Sequence, residues 1–219
     1  MSLGMQEIVV LTGIVIKAEP IGEYDRRVVL LTKERGKISA FARGSRKPGN
    51  RLMAPTNPFS FGRFRLYAGR SSYTMSEAEI SNYFEALRED FAGAYYGMYF
   101  LEICDYYTRE NNDETGMLKL LYQSLRAITS SSFDNRLVRC IFELKAIMIN
   151  GEFPQASAQS LGETAAYTVD YIMRTPVEKL FSFEVREDVL QELRHFCRQM
   201  CKRLLDRNFK SLEILENME

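Results

Sequence analysis

The sequence predicts an α+β protein, in which an N-terminal five-stranded barrel of the OB type is followed by an all-α helical domain. Short runs rich in β-branched and aromatic residues fill roughly the first 80 residues, and apolar residues then recur at helical spacing. The charge changes at the same place: residues 1–75 contain 13 Lys and Arg against 5 Asp and Glu, whereas residues 76–219 contain 16 against 24. We therefore expect an OB-fold nucleic-acid-binding domain at 5–80 and a helical domain at 81–219, from which the C-terminal tail could return to the barrel.

The predicted strands are short and are separated by turn residues. They are expected at Ile8–Ala18, Arg26–Thr32, Lys37–Arg43, Phe59–Ala68 and Ser72–Ala78. Residues 19–25 contain Pro20 and Gly22 and predict a loop, and Gly36 supplies the positive φ that the turn before the third strand needs. A closed barrel removes the sheet edges and leaves a curved outer face, commonly formed by strands two and three. An SH3-like barrel would fit the periodicity nearly as well.

The remaining chain is predicted to be helical, because its apolar residues form stripes. Long helices are expected at Tyr83–Tyr107, Asp113–Ile128, Asp134–Asn150 and Val185–Arg207. A further helix is expected to open at the capping-box sequence Ser160–Glu163 and to end at Thr175–Pro176. The final segment, Phe209–Leu215, alternates enough to be extended.

The composition favours a cytoplasmic protein. No apolar run approaches the roughly 20 residues that a membrane span needs, and no cationic segment followed by an apolar one marks a signal peptide. Met1–Gly4 before Met5 is typical of an expression scar, and Met5 is the expected natural start. The four cysteines are Cys104, Cys140, Cys197 and Cys201. They lie in apolar helical patterns without the spacing of a zinc site, so we expect buried, reduced thiols.

A basic stretch from Gly36 to Arg51 follows the second strand. On the third strand, Lys37, Ser39, Phe41 and Arg43 share one face, because successive side chains point to opposite sides. The loop that follows adds the cations Arg46, Lys47 and Arg51. Cations beside an exposed ring suit single-stranded nucleic acid, since phosphates are held by charge and bases stack on the ring. The alternative is an ordinary solvated edge strand with a charged hairpin loop.

The basic residues of the barrel exceed what solubility requires and favour a polyanionic partner. They are Lys33, Arg35, Lys37, Arg43, Arg46, Lys47, Arg51, Arg63, Arg65 and Arg70. Phe41 and Tyr67 are the candidate stacking rings, with Tyr24 as a third in a loop. The alternative for Phe41 and Tyr67 is that both cap the barrel core.

The sequence offers no support for catalysis. The single histidine, His195, falls off the apolar stripe of its predicted helix, and no phosphate-binding loop, dinucleotide fingerprint or nucleophile elbow is present. The same helix carries Arg194, Arg198 and Lys202 at intervals of four beside an apolar face. This pattern predicts a docking site for an acidic peptide, and the alternative is a solvated helix face.

Several motifs, in order along nearly the whole chain, resemble the RecO family of bacterial DNA repair proteins. They are Gly22–Arg26, Gly36–Lys37, Ala42–Pro48, Leu87–Asp90, Thr175–Leu180 and Lys210–Leu212. The resemblance implies an N-terminal OB-fold, a helical C-terminal domain and a recombination mediator without catalytic residues. Such proteins bind single- and double-stranded DNA, anneal complementary strands and work with RecR. They help RecA displace the single-strand-binding protein SSB, whose acidic C-terminal tail they recognise, and this implies a cytoplasmic, nucleoid-associated protein.

One segment departs from that family. Many members carry a four-cysteine zinc site between the third and fourth long helices, whereas this chain has GEFPQASAQS at Gly151–Ser160, without cysteine. We therefore expect no metal and no cofactor. Two other functions remain open, an RNA-binding OB protein and a protein-interaction scaffold whose basic face binds an acidic protein.

Overall fold

The computed structural model describes residues 7–69, 72–130, 132–153 and 160–218. Five strands come first: β1 Glu7–Ile21, β2 Asp25–Thr32, β3 Gly36–Ala42, β4 Phe61–Ala68 and β5 Tyr73–Asn82. The helices follow as α1 Phe91–Tyr107, α2 Thr115–Ile128, α3 Asn135–Ile149, α4 Glu163–Arg174, α5 Glu187–Leu204 and α6 Lys210–Met218. The chain divides into two compact units, Met1–Glu85 with Cys104–Leu118 and Ala86–Ile103 with Lys119–Glu219.

The five strands form a closed barrel in the order β1-β2-β3-β5-β4. The long first strand closes it, because its first half pairs with β4 and its second half pairs with β2, both antiparallel. Strands β3 and β5 meet in a short parallel pairing. This arrangement confirms the predicted five-stranded OB-like domain.

The barrel interior is filled by alternate residues of the strands. The buried set is Leu11, Val15, Val28, Leu30, Ile38, Ala40, Ala42, Leu52, Phe64, Leu66, Tyr73 and Met75. Because the side-chain period of a strand is two, the residues between them point to the outer surface. The register therefore places Phe41, Arg63, Arg65 and Tyr67 on the outside of the barrel.

The β2–β3 turn packs against the segment that follows α1. Gly36 has φ +63°, and a Cβ at this position would collide with the carbonyl oxygen of Arg109. The Lys37 N–H donates to the Arg109 carbonyl at 2.9 Å, and the Asn111 N–H donates to the Arg35 carbonyl at 3.0 Å. A glycine is required here both for its backbone conformation and for the close approach of the β2–β3 turn to the segment after α1.

The helical unit is packed around α3, whose residues from Leu137 to Ile147 are all buried. Phe142 on α3 stacks on Phe100 of α1 with 4.1 Å between ring centroids. Lys145 closes the end of α4, because its Nζ donates to the carbonyl oxygens of Ile172, Met173 and Thr175 at 2.8–3.0 Å. All four cysteines are free and buried, as predicted, and burial raises the pKa of the Cys197 thiol.

Several predicted boundaries were wrong. β1 continues through Pro20 to Ile21, because the predicted loop pairs with the start of β2. Helix α1 begins at Phe91 rather than at residue 83, after a 3-10 turn at Glu85–Arg88. β5 runs to Asn82, four residues beyond its predicted end, because it stays paired with β4.

Two predictions near the C-terminus were also wrong. The segment expected to be extended is helix α6, in which Ser211 and Leu215 are buried one turn apart beneath an exposed Glu213. The N-cap of α4 is Gly162 rather than the serine of the predicted capping box. The N–H of Gly162 donates to Oε1 of Glu192 at 2.6 Å, so a carboxylate from α5 satisfies the backbone N–H of the N-cap residue itself.

Candidate nucleic-acid interface

Two loops of the barrel are joined to form the basic surface. Oδ1 of Asp25, at the start of β2, accepts from the N–H of Gly44 at 2.7 Å, and the Arg46 N–H donates to the Tyr24 carbonyl at 2.8 Å. Gly44 has φ +65°, which turns the chain out of β3 and into this contact. The loop between β3 and β4 therefore lies against the loop between β1 and β2.

The long loop after β3 is an ordered series of turns. The N–H groups of Lys47, Asn50 and Met53 donate to carbonyl oxygens three residues earlier, at 2.9–3.1 Å. The Arg26 guanidinium then holds the middle of the loop, because it donates to Met53 O at 3.0 Å, Thr56 Oγ1 at 2.7 Å and Asn57 Oδ1 at 3.0 Å.

Arg26 has a structural task, although it belongs to the motif on which the family resemblance rests. Burial and the nearby charge of Arg46 lower the pKa of Arg26. An arginine titrates so far above neutrality that the side chain still remains charged. The guanidinium is directed into the loop, and the side chain is half-buried.

The loop presents three exposed cations, Arg43, Arg46 and Lys47. Arg46 donates to the Gly22 carbonyl at 3.3 Å, and Nζ of Lys47 lies 5.0 Å from the centre of the Tyr24 ring. Over the described part of the chain, none of these three cations forms an ion pair with a carboxylate. Together with the rings of Tyr24 and Phe41, they are called the basic-loop surface below.

Two other predicted cations are held inside the barrel unit. Arg35 donates to the Tyr73 hydroxyl at 3.0 Å, which raises the pKa of the arginine, and it lies 3.5 Å from a Glu7 carboxylate oxygen. Nζ of Lys37 donates to both the carbonyl and the carboxylate of Asp105 at 2.5 and 3.1 Å. Their partners make both side chains less available to a phosphate than the basic loop is.

The cations of the β4–β5 face are matched by two acids on β5. Arg63 contacts Glu79 at 2.6 Å, and Arg65 contacts Glu77 at 3.4 Å. Arg51 also contacts Glu77 at 3.4 Å. These ion pairs are well exposed, and pairs of this kind contribute only about 0–1 kcal/mol each, so they can open. While they are closed, the β4–β5 face presents little net positive charge to a phosphate. Lys33 is exposed in the β2–β3 turn, and Arg70 lies outside the described residues.

The candidate rings are exposed. The exposed fractions are 38% for Phe41, 36% for Tyr67 and 41% for Tyr24. Phe41 and Tyr67 therefore present their rings to solvent instead of capping the barrel core. A hydrogen bond with Glu23 raises the pKa of the Tyr24 hydroxyl.

The predicted partner site in the helical unit lies beside a cavity of about 380 Å³ between α5 and α6. Arg198 and Lys202 line it, whereas Arg194 does not. The sequence did not indicate the other lining residues, which include Arg139, Leu205, Arg207, Phe209 and Leu212. A carboxylate is already present at the rim, because Glu216 of α6 accepts from Nε of Arg198 at 3.2 Å and lies 3.9 Å from Arg139.

The described residues contain no cluster of three or more His, Cys, Asp or Glu side chains that could hold a metal ion. Residues 154–159, within the cysteine-free segment 151–160, lie outside the described residues. His195 is exposed and lies 2.8 Å from Gln199. Among the helices that the structure describes, none has the length and apolarity needed to cross a membrane.

The chain is similar to several known proteins. The family model for recombination protein O, N terminal, matches residues 5–84, and the model for its C terminal part matches residues 88–165. The DNA repair protein RecO of Acetivibrio thermocellus is 27% identical over 95% of this chain and 96% of its own length. The proteins of the same name from Alkaliphilus metalliredigens and Symbiobacterium thermophilum are 34% and 38% identical over 70% and 67% of this chain. Those two alignments cover 63% and 58% of the relatives.

Proposed function

Because the chain belongs to the RecO family of DNA repair proteins, we propose that it is a DNA-binding recombination mediator. It binds single- and double-stranded DNA and anneals complementary strands. With RecR, it helps to load RecA onto DNA that is coated with SSB. This work is done in the cytoplasm at the nucleoid, and it requires no catalytic residue, cofactor or metal.

The observation that carries this function is the basic-loop surface. Arg43, Arg46 and Lys47 project from one ordered loop, and within the described residues no carboxylate neutralises them. Three cations fixed in this way can replace the counterions of three phosphates, and release of those counterions supplies most of the free energy of sequence-independent binding. Such contacts carry no base information, which suits a protein that must act on any damaged sequence.

The remaining predicted cations are expected to contribute less to DNA binding. Arg51, Arg63 and Arg65 must break their ion pairs with Glu77 or Glu79 before they can bind a phosphate. Lys33 is exposed in the β2–β3 turn and is not part of the basic-loop surface. Arg35 and Lys37 shape the barrel unit through Tyr73 and Asp105. We therefore expect the salt dependence of DNA binding to come mainly from the basic-loop surface.

The α5–α6 cavity is the proposed site for the SSB tail. Arg198, Lys202 and Arg207 provide positive charge, and Leu205, Phe209 and Leu212 provide an apolar wall. A peptide that ends in acidic and aromatic residues matches both parts of such a site. Arg194, which the sequence grouped with Arg198 and Lys202, lies one turn away from the cavity on α5.

The test compares the affinity of the full chain for single-stranded DNA, RNA of the same sequence, and heparin at two salt concentrations. Strong, salt-dependent binding of the DNA with weaker binding of heparin supports the proposed function. Preference for the RNA would favour an RNA-binding OB protein instead. Equal binding of all three polyanions would indicate a basic protein-interaction scaffold without a nucleic-acid site.

A further inference from the structure

The barrel register brings the two exposed rings Phe41 and Tyr67 into one row. Phe41 of β3 is opposite Thr74 of β5, and the same Thr74 is opposite Tyr67 of β4. Residues directly opposite each other across strands point to the same side of a sheet. The two rings therefore stand on the outer face with one strand between them, at a backbone separation of about 10 Å.

The ends of this row differ in character. Beyond Tyr67 the row reaches Ile8 of β1, which is exposed and apolar. Beyond Phe41 it reaches Arg27 of β2, whose Nε donates to the Ser39 hydroxyl at 2.9 Å. Arg43, which is exposed, follows Phe41 by two residues, directly after the end of β3.

We propose that Phe41 and Tyr67 form a two-ring platform for two unstacked bases of a single strand, which crosses β3, β5 and β4 in that order. This inference rests on the proposed function and assigns the second stacking position to Tyr67, which the sequence marks as a candidate ring. It also assigns the platform to single strands only. Bases in a duplex are stacked on one another and cannot lay their faces on protein rings, whereas an unpaired base can.

Duplex DNA meets the same domain in a different way. Its phosphates can reach the cations of the basic-loop surface, and this contact needs no exposed base. Charge favours nucleic acid over an apolar protein partner on the platform, because Arg27 and Arg43 flank the Phe41 end. The ion pair of Arg65 with Glu77 lies on the next outward row, and the Tyr67 ring stays 36% exposed.

The experiment measures the affinity of Tyr67→Ala, Phe41→Ala and Tyr67→Leu variants for a labelled single-stranded oligonucleotide and for a duplex of the same length. Fluorescence anisotropy at several salt concentrations gives both the affinity and its salt slope. Tyr67→Phe is the conservative variant, and Tyr167→Ala is the control, since this ring is 70% exposed on α4 in the other unit. A melting curve for each variant shows whether it is folded.

Loss of either ring should weaken single-strand binding by about 5- to 150-fold, the range expected for stacking of one base, and should leave the salt slope unchanged. Tyr67→Leu should behave like Tyr67→Ala, because an aliphatic side chain offers no stacking surface. Tyr67→Phe and Tyr167→Ala should match the wild type, and duplex binding should stay unchanged in every variant.

Two results would overturn the platform. Single-strand affinity that survives Tyr67→Ala in a folded variant would show that the ring takes no base. An equal loss for single strand and duplex would show that the ring acts through the barrel and not by stacking. If the wild type itself binds no single-stranded DNA, the proposed function fails first, and the platform fails with it.

Discussion

Removal of Arg43, Arg46 and Lys47, which form no ion pair with any described carboxylate, should flatten the salt dependence of single-strand binding. Each phosphate contact contributes about 0.7 to the slope of log affinity against log salt for a single strand, so the triple variant R43A/R46A/K47A should lose about two units of slope. A fourfold rise in salt would then weaken the wild type roughly 20-fold more than the variant. The loss should be the same for oligonucleotides of different sequence.

The structure supplies a matched control for this measurement. Arg63 and Arg65 are exposed, as the loop cations are, but they are already paired with Glu79 and Glu77. The double variant R63Q/R65Q should therefore change the slope much less than the loop variant. The thermal stability of the triple variant should stay close to that of the wild type, because surface substitutions of this kind usually cost within about 0.5 kcal/mol. A wild-type slope in the folded triple variant would refute the assignment of the phosphate contacts to this loop.

Three further predictions concern the hydrogen bonds of Arg26 to the loop after β3, the α5–α6 cavity and the absence of zinc. Arg26→Met should lower the free energy of unfolding by about 1.5–3 kcal/mol, the usual contribution of a charged hydrogen-bonding group, as measured by urea denaturation against Arg174→Met. Glu216→Gln should tighten binding of an acidic tail peptide by up to about fivefold and Arg198→Ala should weaken it, in calorimetric titrations, since an exposed ion pair must open first. Unchanged affinity in both variants would place the peptide elsewhere. Elemental analysis should find no stoichiometric zinc, and a chelator should leave the melting temperature unchanged, whereas one zinc per chain would contradict this.

Before the C-terminal tail, periodicity was sufficient to predict which parts of the chain form strands and which form helices. The alternation of Ile38, Ala40 and Ala42 with Ser39 and Phe41 predicts both the third strand and its outer face, and the structure confirms both. This information is local, since it depends only on how successive side chains point from one strand. The helical stripes are local in the same sense.

The electrostatics of the barrel could not be predicted in this way. The count of charges up to residue 75 left out Glu77 and Glu79, which β5 brings opposite Arg65 and Arg63. Asp105 lies 68 residues from Lys37 in sequence, but its carboxylate accepts a hydrogen bond from the Lys37 ammonium group. Such pairs depend on strand register and on the packing of the segment after α1, which composition does not contain. The row from Phe41 to Tyr67 depends on the register of three strands for the same reason.

The tail shows a different limit of sequence reasoning. Leu212 and Ile214 alternate with charged residues over a short segment, which favours a strand when only a few positions are counted. The structure buries Ser211 and Leu215 one helical turn apart instead, beside the preceding Phe209. Here Oε1 of Glu102 accepts from the Ser211 hydroxyl at 3.0 Å, so a contact with α1 helps to decide the conformation.

Annealing of complementary oligonucleotides that are both coated with SSB tests the proposed function most directly. The wild-type protein should accelerate duplex formation well above the rate with SSB alone, and R63Q/R65Q should retain most of that acceleration. The folded triple variant R43A/R46A/K47A should lose most of it, because its phosphate contacts are gone. A wild-type protein that binds the oligonucleotides but leaves the annealing rate at the level of SSB alone would contradict a role as a recombination mediator.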